Sequence, residues 1–322
     1  MSSGTIPPPD GRLDVRWCSF TTTTGGGAPR LGAVVARDGV DRVLDVGVWA
    51  RSRHAEAPPD LVDLVEASPA GQERVTDLVR SAPEDGSGWI RVDEVDFAAP
   101  VRTPNSLRDF LAFRDHVERG AARRGSPVPE AWDRIPVYYK GNRRSIVGPG
   151  DVVAWPSYTE KMDYECEIAA VVGRGGRDVA AEDAGSYVFG YTIMNDWSAR
   201  EVQRDEMACW LGPAKAKDFA TTLGPWLVTP DEWSPEDDHA MSVLVDGEVW
   251  STGSTTGRRW TFAEMLAWVS RDEDLWPTDV LGSGTFGGGC GLDLDRWLPA
   301  SCEVELRVDG LGCLTNRVEK RH

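Results

Sequence analysis

The sequence is short of positive charge and of long apolar runs. Its 35 lysines and arginines stand against 52 aspartates and glutamates, which leaves a formal net charge of -17. Nucleic acids and anionic membrane surfaces bind through clustered Lys and Arg, so we expect neither as a partner. No segment approaches the roughly 18 apolar residues of a membrane span, and residues 1–11 have no apolar stretch of the signal-peptide type. We therefore expect a soluble, cytoplasmic protein.

Cysteine and histidine are also scarce, and their spacing argues against several kinds of site. The six cysteines are dispersed through 322 residues without a C-x-x-C pair, which predicts free thiols rather than a disulfide framework or a zinc site. No G-x-G-x-x-G motif opens a helix after a predicted strand, and no P-loop motif occurs. A nucleotide cofactor therefore has no support in the sequence.

What the sequence does contain is a series of short β-type runs separated by glycine-rich turns. Apolar residues with helical spacing occur over about 59–80 and over 262–270. The predicted fold class is mostly β with short helices (α+β), with a small β-rich N-terminal module over residues 1–98 and a second domain over residues 99–322. In the second domain, strands are predicted at 151–155, 167–172, 188–194, 226–229, 241–245 and 302–308.

Two glutamates separated by one residue are the most informative feature of the chain. Glu165 and Glu167 lie in an apolar run that is predicted to be a strand, so both side chains fall on the same face. Neighbouring carboxylates in a buried strand repel each other and resist desolvation, and a cation between them relieves both costs. Two surface glutamates on a half-exposed strand would produce the same pattern without a metal.

A third acidic residue, Asp196, follows an apolar strand and is expected at its end. Glu165, Glu167 and Asp196 would supply hard oxygen ligands without any His or Cys. Such a ligand set favours Mg²⁺, Mn²⁺ or Ca²⁺ over zinc or copper.

His116 is the candidate general base among only four histidines. The segment over 107–116 has helix-like features, and if it were helical throughout, Asp109 and His116 would lie on nearly the same face. A base beside a metal carboxylate could activate water. Two other interpretations remain open: Ser106-x-x-Asp109 resembles a capping box, and single surface histidines are common on charged helices.

Three blocks of sequence, in this order and at this separation, point to a known family. They run over 163–167, which includes Glu165-Cys166-Glu167, over 195–203, which reads NDWSAREVQ, and over 212–226, which reads GPAKAKDFATTLGPW. With these blocks the chain resembles the fumarylacetoacetate hydrolase (FAH) superfamily over roughly residues 104–318. The resemblance implies an FAH-like mixed β-roll as the C-terminal domain, with a small β-rich N-terminal domain, and assembly as a homodimer.

The resemblance also implies a role for each matching residue. It implies a divalent-metal site formed by four carboxylates, a histidine base, three groups that stabilise an oxyanion, and two substrate contacts. The metal ligands are Asp109, Glu165, Glu167 and Asp196; the base is His116; the oxyanion groups are Lys217, Arg200 and Gln203; and the substrate contacts are Tyr139 and Thr285.

The chain departs from the family pattern at two places. Met207 stands where the fumarylacetoacetate-specific enzymes carry a tyrosine, and the segment over 286–293 has no obvious equivalent of the glutamate that orients their histidine. Shorter family members use a glutamate three residues after the histidine, whereas Glu118 is only two residues after His116. The acid partner of His116 and the substrate are therefore left open.

The resemblance leads to one predicted function and two alternatives. The prediction is a Mg²⁺-dependent (or Mn²⁺- or Ca²⁺-dependent) hydrolase that cleaves a C–C bond in an acylpyruvate or β-diketo acid, with water activated by His116. The first alternative keeps the site but decarboxylates, isomerises, hydrates or dehydrates a 2-oxo acid through an enolate. The second is a dimer with a decayed site that serves by interaction; clustered buried carboxylates argue against it, since a decayed site should lose them first.

Overall fold

The computed structural model describes residues 14–320 except residues 26, 38, 84 and 85. In this part of the chain short strands predominate, which confirms the predicted fold class. The strands are β1 (Arg16–Thr22), β2 (Arg30–Arg37), β3 (Val40–Asp45), β4 (Trp89–Arg91), β5 (Val95–Ala98), β6 (Leu107–Phe110), β7 (Tyr138–Lys140), β8 (Ile146–Val147), β9 (Val152–Trp155), β10 (Met162–Asp163), β11 (Cys166–Val172), β12 (Val188–Asp196), β13 (Ser198–Ala199), β14 (Thr221–Val228), β15 (Ala240–Val245), β16 (Glu248–Ser254), β17 (Val280–Gly282), β18 (Ser301–Val308) and β19 (Gly312–Lys320).

The helices are short, and across residues 14–320 with their four gaps none is long and apolar enough to cross a membrane. The α-helices are α1 (Val46–Ser52), α2 (Leu61–Glu66), α3 (Pro69–Arg80), α4 (Arg114–Arg124), α5 (Arg200–Ala208), α6 (Phe262–Ser270) and α7 (Gly291–Leu294). Within the described part of the chain, 3₁₀ helices occupy Val92–Glu94, Glu130–Asp133 and Ala181–Tyr187.

A mixed sheet of twelve strands forms the main layer of the fold. Its order is β4-β3-β2-β1-β14-β12-β11-β17-β6-β7, with β5 added to β1 and β8 added to β14. A second sheet has five strands in the order β16-β15-β18-β19-β9, and β10 pairs with β13. Two neighbours in the main sheet, β17 and β6, are parallel, so the chain must cross over between them.

Apolar side chains cover both faces of the main sheet. One core cluster joins Ile168 and Ile193 of the main sheet to Leu306 and Leu314 of the five-stranded sheet. A second cluster packs the opposite face against the N-terminal helices, in which Leu64 of α2 is fully buried. Each fully buried Leu or Ile contributes about 1.5–3 kcal/mol to the stability of the folded state, so the packing on both faces stabilises the sheet.

Strands from both sides of the predicted boundary at residue 98 belong to the main sheet. β1 pairs antiparallel with β14, and Arg16 lies opposite Val228. The division of the chain into residues 1–98 and 99–322 therefore stays a prediction.

Two helix predictions need correction. The predicted helix over about 59–80 is two helices, because the proline at the start of α3 disfavours helical geometry at Ser68, which is extended and caps α3 instead. The segment over 107–116 is not one helix either. Its first part is the buried strand β6, which pairs with β17 and β7, and α4 begins only at Arg114.

The capping-box interpretation of Ser106 and Asp109 is also wrong. The Ser106 hydroxyl donates to Asp279 Oδ1 at 2.6 Å, and Asp109 lies on β6 rather than in the first turn of a helix. Asp109 and His116 therefore lie on different elements rather than on one helix face.

Candidate active site

The four predicted metal ligands converge at one end of the central strands. Asp109 lies on β6, Glu165 immediately precedes β11, Glu167 lies on β11 and Asp196 ends β12. Glu165 and Glu167 share a strand face, as predicted, because strand side chains alternate. One carboxylate oxygen from each of the four residues lies within 4.8 Å of the others, and all four side chains are buried.

The electrostatics of this cluster are those of a cation site. Burial, and then repulsion from neighbouring carboxylates, raise the pKa of Asp109 and of Glu167 well above their ordinary values. The Gly284 N–H donates to Glu167 Oε2 at 2.9 Å and to Asp109 Oδ1 at 3.2 Å. Glu167 Oε1 is buried without a hydrogen-bond partner among the described residues. Four buried carboxylates with an orphaned oxygen fit a hard divalent metal.

Lys217 and Tyr139 contact the same cluster. The Lys217 ammonium donates to Glu165 Oε2 at 2.8 Å and also bonds Asp196 Oδ2. The Tyr139 hydroxyl donates to Asp196 Oδ1 at 2.8 Å. Burial opposes charge on Glu165, but Lys217 and Arg200 outweigh it and lower its pKa. The ammonium of Lys217 is also buried, and the charges of Asp196 and Glu165 nevertheless raise its pKa.

Arg200 and Gln203 lie on the first turn of α5, beside the carboxylate cluster. Arg200 Nη2 is 2.9 Å from Glu165 Oε1, and Arg200 Nη1 donates to Gln203 Oε1 at 2.9 Å. The main partner of Arg200, which was not predicted from the sequence, is the fully buried Asp163, 2.7 Å from Nε and from Nη2. Its position directly before Tyr164-Glu165 was the only signal that could have identified it.

The acid partner of His116, which the sequence left open, is Asp293, in the segment over 286–293 where no equivalent of the family glutamate was obvious. His116 Nδ1 lies 2.8 Å from Asp293 Oδ2, and Asp293 also accepts from the Gly288 N–H at 3.0 Å. Burial opposes the charge of Asp293, but the hydrogen bond and charge of His116 lower its pKa, so the carboxylate is ionised. Sequence reasoning looked for a glutamate, although Asp293 is the only acidic residue in that segment.

The His116–Asp293 pair adjoins the carboxylate cluster through Cys290. Cys290 and Glu165 form an isolated β-bridge, and the Cys290 thiol lies within 4.8 Å of ligand atoms of His116 and Asp293. Burial raises the pKa of this thiol well above its ordinary value. Because Arg123 binds Asp293 and the Arg200 charge also acts on the thiol, this group is unsuited to a cation.

Thr285 lies at the edge of the same site but is turned toward the backbone. Its buried hydroxyl donates to the Cys166 carbonyl at 2.9 Å, between Glu165 and Glu167. The structure therefore brings all ten predicted site residues into one region and adds Asp163 and Asp293 to them.

The family model for the fumarylacetoacetate (FAA) hydrolase C-terminal domain matches residues 106–319, which is more than half of the chain. The chain belongs to the fumarylacetoacetate hydrolase family. One family relative, the mitochondrial oxaloacetate tautomerase FAHD2A of Homo sapiens, is 34% identical over 230 residues, 70% of each chain.

Solved structures of the family have the same fold. The fumarylacetoacetate hydrolase of Exiguobacterium antarcticum is 25% identical, with a TM-score of 0.73 over 95% of this chain and 100% of that one. The maleylpyruvate hydrolase of Sphingobium sp. SYK-6, solved with manganese(II) and pyruvate, is 20% identical with a TM-score of 0.70 over 95% of this chain and 100% of its own. Relatives within the family therefore include both tautomerases and hydrolases.

Proposed function

We propose that the protein is a divalent-metal-dependent enzyme that interconverts the keto and enol forms of a small 2-oxo diacid of the oxaloacetate type. The observation that carries the proposal is the hydrogen-bonded His116–Asp293 pair beside four buried carboxylates. A proton-transfer group next to a metal site is what enolisation of a 2-oxo acid requires. The 34% identity to an oxaloacetate tautomerase favours this class of substrate.

Asp109, Glu165, Glu167 and Asp196 would hold the metal, which we propose to be Mg²⁺ or Mn²⁺, with Ca²⁺ as the weaker candidate. A bound divalent ion would supply Lewis acidity toward the oxygens of a 2-oxo acid. The unpartnered Oε1 of Glu167 and the absence of His and Cys from the four ligands support a hard cation.

His116 would carry out the proton transfer. Because the ionised Asp293 accepts the Nδ1–H, Nε2 is left with its lone pair and can take a proton from the carbon next to the substrate carbonyl. The same proton is then delivered to the carbonyl oxygen to give the enol, so atoms and charge balance without water. Lys217, with Arg200 and Gln203 beside it, would stabilise the negative charge that develops on this oxygen.

Tyr139 and Thr285 would contact the substrate once it is bound. Their hydroxyls now donate to Asp196 and to the Cys166 carbonyl, respectively. Contact with the substrate would require them to exchange these bonds, so their roles stay proposals, as do the homodimer and the cytoplasmic location.

Hydrolysis of a C–C bond in an acylpyruvate is the second candidate function. It is favoured by the ionised Asp293, which would stabilise the imidazolium that forms when His116 takes a proton from water. In both reactions the proton acceptor is the same nitrogen. In tautomerisation it takes the proton from carbon. In hydrolysis it takes the proton from water, the hydroxide attacks the carbonyl, the C–C bond breaks, and the leaving enolate takes up the proton.

A substrate panel separates the two functions. Keto–enol exchange of oxaloacetate would be followed by ultraviolet absorbance and by coupling the keto form to malate dehydrogenase, and acylpyruvates would be assayed for cleavage. Since metal ions alone catalyse enolisation, the controls are metal without protein and the His116→Asn variant with metal. We expect rapid tautomerisation, lowered about 10²–10⁴-fold in the variant. Acylpyruvate cleavage without tautomerisation would overturn the proposal.

A further inference from the structure

Asp293 is held from both sides by residues of α4. Its side chain is fully buried, and His116 Nδ1 lies 2.8 Å from one carboxylate oxygen. The other oxygen, Oδ1, accepts from Arg123 Nη2 at 2.7 Å. Arg123 Nη1 also donates to the Leu292 carbonyl at 2.6 Å. Arg123 thus binds both the side chain and the backbone of α7, which carries Asp293.

The spacing on α4 explains how two residues reach one carboxylate. His116 and Arg123 are seven residues apart, close to two helical turns, so their side chains leave the same face of the helix. With Oδ1 taken by Arg123, Oδ2 is left for the imidazole and for the Gly288 N–H. Asp293 cannot rotate without losing charge-assisted hydrogen bonds at both oxygens.

We propose that Arg123 is a positioning residue for proton transfer: it fixes the Asp293 carboxylate so that the His116 proton resides on Nδ1 and the lone pair on Nε2. The inference rests on the proposed role of His116 as the base. Without Arg123, Oδ1 loses its charge-assisted hydrogen bond and only the Gly288 N–H still holds the carboxylate beside the imidazole. The carboxylate can then turn away from Nδ1, and the imidazole can adopt the other tautomer, in which Nε2 carries the proton and cannot accept one.

The simpler interpretation is an ordinary surface ion pair, which contributes little. Arg123 is itself 40% exposed, but its partner is fully buried and is the residue that orients His116. The same helix offers a matched control. Arg114 is 42% exposed and pairs with Asp133 at 2.5 Å, and that ion pair does not involve Asp293. Arg114→Gln therefore removes a similar ion pair from the same helix.

The experiment compares Arg123→Gln, Arg123→Lys and Arg114→Gln in the metal-loaded protein. We expect Arg123→Gln to lower kcat about 10–100-fold, the range for a residue that supports a catalytic group, with KM within about twofold. Arg123→Lys should restore part of the activity, because it keeps the charge but not the two-pronged geometry. Arg114→Gln should stay within about twofold of the wild type.

Imidazole nitrogen NMR on ¹⁵N-histidine-labelled protein supplies the readout that a purely structural role would not change. Only four histidines occur, and His116→Asn assigns the signal. We expect a protonated Nδ1 and unprotonated Nε2 in the wild type and in Arg114→Gln, and a mixture of tautomers in Arg123→Gln. An unchanged tautomer in Arg123→Gln, whatever its kcat, or an equal loss of kcat in Arg114→Gln, would overturn the inference. If no 2-oxo acid is turned over by the wild type, the proposed function fails, but the NMR comparison still decides the role of Arg123.

Discussion

Glu232 is a buried carboxylate that ties the N-terminal strand to the catalytic part of the chain, and its removal should change how stability depends on pH. Its Oε2 accepts from the Val15 N–H at 2.7 Å, and its Oε1 accepts from Arg80 of α3 at 3.2 Å. The side chain is only 9% exposed. Burial raises the pKa of Glu232 from 4.5 to about 7, since the Val15 hydrogen bond and the Arg80 charge do not offset the desolvation.

A carboxyl group with a raised pKa stabilises the fold only while it is protonated. Between pH 4.5 and about 7 the folded state binds more protons at Glu232 than the unfolded state, so the free energy of unfolding falls as pH rises through this window. A shift of about 2.5 units at 1.36 kcal/mol per unit corresponds to about 3 kcal/mol, complete by about pH 8. Glu232→Gln removes this titration and keeps an amide oxygen that can accept from Val15.

The assay is urea unfolding of the wild type and of Glu232→Gln, without metal, from pH 5 to pH 8.5. We expect near-equal stability at pH 5 and a variant about 2–3 kcal/mol more stable at pH 8, because only the wild type loses stability as Glu232 ionises; the raised pKa already includes the effect of Arg80. Other acids titrate in both proteins and cancel in the difference. Asp231→Asn, at an exposed neighbour of Arg80, is the control and should shift stability by less than about 0.5 kcal/mol. A difference between Glu232→Gln and wild type that is constant with pH would refute the reasoning.

Three further perturbations test the candidate site. Glu167→Gln should weaken Mn²⁺ binding, measured by calorimetry, at least about tenfold. The same change should stabilise the metal-free protein toward urea, because it removes one of four carboxylates that repel each other. Equal metal affinity in the variant and the wild type would contradict this prediction. Lys217→Met should lower turnover about 10²–10³-fold if its charge stabilises the oxyanion, and a loss confined to KM would argue against that role. The Glu206 carboxylate accepts from the backbone N–H groups of residues 214–216 at 2.7–3.3 Å and so anchors the segment before Lys217. Glu206→Gln should therefore speed limited proteolysis of that segment. An unchanged rate of cleavage would contradict this anchoring.

Local sequence patterns predicted the helices and strands in which apolar residues recur at a regular spacing. The predicted helix over 262–270 is α6, because Thr261 and Glu264 form a complete capping box around an apolar run. The strand containing Glu167 followed from its alternation. By contrast, β6 contains Arg108 and Asp109, and no local signal reveals that both are buried. Arg108 is paired with Glu273 and Asp279, more than 160 residues away.

This dependence on local patterns also explains which site residues could be predicted from the sequence. Glu165 and Glu167 could be predicted because they lie two residues apart in one extended apolar run. Asp196 was suggested by its place after an apolar strand. The role of Asp109 as a metal ligand and that of Lys217 required the resemblance to the family, because tertiary structure alone joins their segments. Asp293 was missed because it sits 177 residues from His116 on a four-residue helix after a glycine-rich turn, where neither spacing nor periodicity indicates a partner. An aspartate there is shorter than the expected glutamate, and Arg123 provides the contact that holds it in place.

The charges of the site explain why a cation and a proton should compete for it. Four clustered carboxylates, with Asp163 close by, exceed the positive charge that Lys217 and Arg200 supply. Lys217 and Arg200 lower the pKa of Glu165 despite its burial. Burial raises the pKa of Asp196 even though Lys217 contacts it, and burial raises the pKa values of Asp109 and Glu167 well above their ordinary range. The negative charge of Asp109 and Glu167 is therefore the least compensated in the cluster, which favours uptake of a proton there. A divalent cation would compete with protons for these oxygens, so its affinity should rise with pH.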